Sequence, residues 1–92
     1  MKFTWDKEKK ARNIKKHGID FSELSHVFER PMLIRIDDRR DYGETRWISL
    51  ADLNGKIVVL VYTEENDTVR FISARRATKN EKKIYIEKIY RR

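Results

Sequence analysis

The chain is 92 residues long, carries 22 Lys and Arg against 15 Asp and Glu for a formal net charge of +7, and has no cysteine. That length supports one hydrophobic core and no second domain, so residues 1–92 are expected to form a single domain. The missing cysteine excludes a disulfide framework and thiol-based chemistry. No run approaches the ~20 apolar residues of a membrane span and none resembles a signal peptide, so a soluble, cytoplasmic protein is expected.

Charge is unevenly spread: residues 1–17 sum to +5, residues 75–92 to +6, and residues 18–74 to −4. Basic ends of this strength suit a polyanion, most simply nucleic acid, although a lysine-rich helix face is often only solvated. In chain order, Lys2–Trp5 reads as a short strand. Asp6 caps a helix from Lys7 to about His17, which Gly18 stops, with Ala11 and Ile14 as its narrow buried stripe. Asp20-Phe21-Ser22-Glu23 reads as a capping box opening a second helix. That helix buries Phe21, Leu24, Val27 and Phe28 until Pro31 forbids continuation. Met32–Ile36 is a strand, and the charged Asp37–Glu44 stretch a mobile loop.

Thr45–Leu53 and Lys56–Glu64 pair around Asn54-Gly55, because a type I′ turn needs positive φ at both central residues. The two-residue loop sets Trp47 opposite Tyr62, Ile48 opposite Val61 and Ser49 opposite Leu60. If Asn66-Asp67 closes the next hairpin likewise, Tyr62 faces Phe71, Leu60 faces Ser73 and Val61 faces Ile72. A second capping box, Thr78 to Glu81, opens a last helix in which Ile84, Tyr85, Ile86, Ile89 and Tyr90 must dock on the sheet or on a partner. The expected fold is α+β, a small antiparallel-rich sheet with helices packed on one face, in the order β-α-α-β-β-β-β-α.

Side chains alternate along a strand, so this register sorts the sheet into two surfaces. Ile48, Leu50, Val59, Val61, Ile72 and Ala74 form the expected core. Trp47, Ser49, Leu60, Tyr62, Glu64, Phe71, Ser73 and Arg75 form an aromatic, partly charged face, the candidate working surface. A second turn one residue longer or shorter would invert the face of Phe71, Ser73 and Arg75.

The F-x-W-D opening, Asn13-x-x-Lys16-His17-Gly18-Ile19-x-Phe21, Val27-Phe28-x-x-Pro31, Gly43-Glu44 with Arg46, and the R-F-I-S-A-R-R-A-T-x-x-E run from Arg70 to Glu81 together resemble the BrnT toxins of type II toxin–antitoxin systems. The resemblance spans essentially the whole chain, and I-S-A-R-R-A is its most specific part. It implies a RelE-like ribonuclease fold, metal-independent cleavage of mRNA that arrests translation, and a hetero-oligomer with a DNA-binding BrnA-like antitoxin. Operator DNA would be reached only through that partner.

Such cleavage needs a base for the 2′-hydroxyl proton, cations for the scissile phosphate and an acid for the 5′-oxygen. Arg75 is the first choice for the phosphate, since guanidinium forks onto two oxygens; a structural ion pair is the alternative. Arg75 and Arg76 point to opposite faces if the strand continues. Glu44 or Glu64 could be the base, His17 the acid, and Arg46 joins them from the core side. Equally, the glutamates could be solvated and His17 could simply meet the end of its helix. Tyr62, Phe71 and Trp47 could stack bases, with Ser73, Arg70, Arg76 and Lys16 beside them, or form a patch covered by the antitoxin. His26 reads as structural. Two histidines without ligand spacing argue against zinc, no glycine-rich phosphate loop is present, and neither metal nor cofactor is expected. A non-catalytic RNA-binding sheet and a purely structural subunit remain the rival readings.

Overall fold

Two short turns determine most of the sheet. In a computed structural model, which describes residues 1–90, Asn54 and Gly55 have φ of 52° and 88°, and Asn66 and Asp67 of 51° and 61°. These left-handed pairs join β3 (Trp47–Leu53) to β4 (Lys56–Glu65) and β4 to β5 (Thr68–Arg76). At the first turn the Asp52 carboxylate also accepts from the Gly55 amide at 2.7 Å. Trp47 pairs with Tyr62, Ile48 with Val61 and Ser49 with Leu60, as expected. β2 (Leu33–Ile36) adds antiparallel to β3, and β1 (Lys2–Trp5) adds parallel to β5, giving a five-stranded mixed sheet in the order β1-β5-β4-β3-β2.

The β4–β5 pairing begins as expected, with Tyr62 opposite Phe71, and then departs. A β-bulge between Val61 and Tyr62 leaves Ile72 as an extra residue, so Val61 faces Ser73, Leu60 faces Ala74 and Val59 faces Arg75. Beyond the bulge every side chain of β5 changes sides relative to the regular register. Ser73 and Arg75 thus leave the face of Phe71 and join Ile48, Val59 and Val61.

The core lies on the aromatic side of the sheet. Leu60, Tyr62, Phe71, Val69 and Ala74 are buried there with Ile19, Phe21, Leu24 and Val27 of the segment after the first helix. The expected second helix is instead two 3-10 turns, Phe21–Glu23 and Ser25–Glu29. Asp20 bonds the Ser22 amide and hydroxyl at 2.9 and 2.8 Å, a tight cap that does not seed a longer helix. The face expected to be core carries only Ile48, Val59 and Val61, with Leu50, Ile72 and Ala77 partly covered. The last helix, α2 (Lys79–Ile89), lies over one end of that second face, so the helices do not share one side.

α1 (Lys7–His17) is capped by Asp6 and ended by Gly18 at φ 72°. Its anchor is Asn13, not the expected Ala11 and Ile14, which are exposed. The Asn13 amide bonds both the N–H and the C=O of Ala74, at 3.0 and 2.9 Å, and also the Ile19 carbonyl at 2.9 Å. β1 pairs with β5 only as far as Phe71, and beyond that point this side chain supplies the hydrogen bonds of a neighbouring strand.

Candidate active site

The expected working surface is the interior of the protein. Tyr62 and Phe71 are 2 and 1 % exposed, and Ser49, hydrogen-bonded to the Tyr62 hydroxyl at 2.7 Å, is fully covered. Burial pushes the Tyr62 phenol up from its usual range. Phe3 of β1 stacks on Phe71 at 5.7 Å between ring centroids, and Phe28 meets Tyr62 edge-on at 5.2 Å. These rings solvate one another, which leaves Tyr62 and Phe71 no face for a nucleobase. Trp47 is half-buried against the same cluster. Glu64, exposed at the end of β4, lies on the side of Tyr62 by its register, away from Arg75, and the exposed Arg76 also lies on that side, opposite Val58.

The opposite face gathers most of the remaining candidates. A cleft of about 110 Å³ over Ile48, Val59 and Val61 is lined by Arg35, Arg39, Ser73, Arg75 and Glu81. The Thr78–Glu81 capping box fixes the start of α2, which brings the Glu81 carboxylate to Arg75. The two fork at 2.8 and 3.0 Å, and Arg75 also donates to the Arg76 carbonyl. Chiefly because of the Arg75 hydrogen bonds, with a further one from the Thr78 amide, the Glu81 acid is pulled down to about 2. Glu81 is therefore a weak proton acceptor and serves to aim the guanidinium.

Arg39 was not singled out by the sequence, yet its guanidinium is held in place although much of the side chain is exposed. Its guanidinium forks onto Asp37 with two contacts of 2.8 Å, and Asp37 also accepts from the Tyr42 hydroxyl at 3.0 Å and the Arg39 amide at 3.2 Å. The Asp37 side chain is fully covered, and the Arg39 hydrogen bonds hold its acid well below the carboxylate range. The Asp37 amide in turn bonds the Arg46 carbonyl, so the charged loop is pinned at both ends of this aspartate. The only signal in the sequence is an Asp followed two residues later by Arg, too common to single out.

Farther along the face, Glu44 accepts from Arg70 at 2.9 and 3.1 Å and from Arg46 at 3.4 Å, while Arg46 lies 4.0 Å over the Tyr42 ring. By register the Arg70 and Arg75 positions are separated by the Thr63-to-Val59 stretch of β4, roughly 13 Å at strand rise, with Ser73 between. On the α1 side, Lys16 and His17 border a groove of about 270 Å³ that also touches Ser73. Arg75, Arg46, Arg70, Glu44, Ser73, Lys16 and His17 therefore share one connected surface, and Arg35 and Arg39 join it. His26 lies apart, with its Nε2 buried and unpartnered among the described residues. Among those residues no three His, Asp or Glu side chains are grouped as metal ligands.

A sequence profile described as "Ribonuclease toxin, BrnT, of type II toxin-antitoxin system" matches residues 5–81. The chain belongs to the BrnT family. Its fold is similar to the crystal structure of the Brucella abortus ribonuclease toxin BrnT, with a TM-score of 0.68 and 27% identity over 86% of this chain and 99% of that one. No curated protein sequence matches it. The profile includes every residue of the cleft, and family membership makes this a ribonuclease toxin of a type II system, with an antitoxin as its protein partner. Among the described residues no helix is long and apolar enough to cross a membrane.

Proposed function

We propose that this BrnT-family chain is a metal-independent endoribonuclease that cleaves mRNA on the open face of its sheet. Translation would then halt in the cytoplasm until a BrnA-like, DNA-binding antitoxin neutralises the toxin in a hetero-oligomer. The observation that carries this reading is the cleft in which Arg35, Arg39 and Arg75 converge beside Ser73. Three guanidiniums over an apolar floor can hold a phosphate and stabilise the charge of a pentavalent transition state, the service a divalent metal performs elsewhere. Arg39 and Arg75 are held by Asp37 and Glu81 before substrate arrives, so little reorganisation accompanies binding.

In the proposed reaction the ribose 2′-oxygen attacks phosphorus and the 5′-oxygen leaves, producing a 2′,3′-cyclic phosphate and a 5′-hydroxyl. A base takes the 2′-proton and an acid returns one to the departing oxygen; Glu44, once released from Arg70 and Arg46, and His17, beside Ser73, are the groups this face offers for those roles. Lys16, Arg46 and Arg70 hold flanking phosphates. Glu64 faces away from Arg75, which removes it from the reaction. The test is purified chain with RNA in EDTA: cleavage leaving cyclic phosphate ends is expected, and loss of cleavage in a folded Arg75→Ala variant. Cleavage that needs added Mg²⁺, or Arg75→Ala at wild-type rate, overturns the proposal.

A further inference from the structure

The guanidinium cleft is continuous with a second, larger hollow. About 320 Å³ in volume, it runs between β2, β3 and the first turns of α2, and shares Arg35, Ile48, Val59 and Glu81 with the cleft. Its other walls are aliphatic. Leu33 and Leu50 are paired partners across β2–β3, and Ile84 of α2 stands over them, 39 % exposed. β2 ends the sheet, so its outer backbone groups have no strand beyond them, and Ile34 and Ile36 are each 54 % exposed along it.

The chemistry of the hollow selects its occupant. Single-stranded RNA seeks aromatic platforms, and this hollow has no aromatic lining residue. Aliphatic walls beside an open strand edge suit a protein segment, which can insert apolar side chains and add main-chain hydrogen bonds to β2. Charge narrows the choice further. Arg35 stands where hollow and cleft join and makes no ion pair with a described residue, while the one carboxylate on the rim, Glu81, is engaged by Arg75. An entering carboxylate would meet Arg35 with Arg39 and Arg75 behind it. A second copy of this chain, paired by a two-fold axis along β2, would instead bring Arg35 against Arg35.

We propose that this hollow is the docking site of the antitoxin, which inserts a segment bearing aliphatic side chains and a carboxylate. The carboxylate sits on Arg35, and the segment closes the guanidinium cleft. Inhibition by this route rests on the ribonuclease reading above; the binding itself does not.

The experiment titrates the cognate antitoxin, co-expressed with the chain and separated from it in guanidinium, against refolded wild-type, Ile84→Glu and Ile86→Glu chains. Ile86 is on the same helix, 41 % exposed, and does not line the hollow. Ile84→Glu is expected to cleave RNA normally and to bind antitoxin at least tenfold more weakly, with Ile86→Glu within twofold of wild type. Hydrogen exchange on the wild-type complex, which needs no variant, should show protection of the Leu33–Ile36 amides. Unchanged binding by Ile84→Glu, equal losses for both variants, or protection confined to α1 overturns the proposal. So does a wild-type dimer that Ile84→Glu dissociates, or Ile84→Glu losing RNA cleavage while keeping its antitoxin. Should wild type cleave no RNA while Ile84→Glu alone loses the antitoxin, the ribonuclease reading falls and the docking site stands.

Discussion

Replacing Asn13 by Ala tests whether one side chain completes the sheet. Its three hydrogen bonds serve the Ala74 N–H, the Ala74 C=O and the Ile19 C=O, all in a buried setting. The amide orientation is fixed by this set, since reversing it would point oxygen at two carbonyls. Ala leaves three backbone groups unpartnered, at about 1–3 kcal/mol each before water enters, so a net loss of about 3–5 kcal/mol is expected. A domain of this size has only about 5–14 kcal/mol to lose. At about 4–8 °C per kcal/mol, the melting temperature should fall by at least about 12 °C. Asn13→Asp should be no better, because it keeps the acceptor for the Ala74 amide and sets an anion against the two carbonyls. Thermal unfolding by circular dichroism gives the magnitude, and amide exchange at Ala74 gives the location. A variant that melts within about 5 °C of wild type, or that keeps Ala74 protected, refutes the view that Asn13 stands in for a strand.

Glu81 sets an acid window. Its acid is about 2 in the folded chain against an ordinary 4.5, so the Arg75–Glu81 pair stabilises fully above about 4.5 and is lost as pH falls toward 2. With the Arg75 side chain 41 % exposed, the advantage of wild type over Glu81→Gln at pH 7 should be about 1–2 kcal/mol, shrinking in urea titrations toward pH 2; a constant difference contradicts the assignment. Deleting Ile72 removes the bulge but leaves Val61 opposite Ser73, Leu60 opposite Ala74 and Val59 opposite Arg75, so a cooperative unfolding transition should remain, and Ile72→Ala should likewise fold with a loss under about 2 kcal/mol; loss of the transition in either variant contradicts the reading of Ile72 as an unpaired extra residue. Arg39→Lys keeps the charge but cannot fork onto Asp37, and is expected to lower RNA cleavage about tenfold with near-wild-type melting; full activity would remove Arg39 from the site.

The features legible in the sequence were those specified within a few residues. Asn54-Gly55 and Asn66-Asp67 dictate their backbone locally, and the register they imply runs from Leu53 to Trp47 and from Glu65 to Phe71. Asp6, Gly18 and the Thr78–Glu81 box act over a single helical turn and do what their chemistry requires. The bulge at Ile72 has no such mark, because T-V-R-F-I-S-A-R-R contains neither Gly nor Pro and reads as an unbroken strand. Asn13, on a helix thick with lysine, looks like another solvated position until Ala74, 61 residues away, is beside it. Arg39 depends equally on a loop geometry that its neighbours do not announce.

The reversal of the two faces has a different cause. From Ile57 to Tyr62 every residue of β4 is buried, so alternation there carries no contrast between inside and outside. An apolar run of this kind says that both sides of a strand are covered, and leaves open which side is covered more deeply. What decides is the supply of large covering groups from elsewhere in the chain. Phe3 and Trp5 arrive on β1, and Phe21 and Phe28 on the 3-10 turns, all on the side of Phe71. The other side receives α2 at one end and polar or charged side chains of the Asp37–Glu44 loop and α1. Aromatic residues on a strand therefore marked the side with aromatic partners, and the polar chemistry was left to the side whose floor is small and aliphatic. Because Ile72 is left out of the ladder as an unpaired residue, Ser73 and Arg75 face that floor, and the sheet can hold its rings in the core and its guanidiniums in the open without a residue serving both.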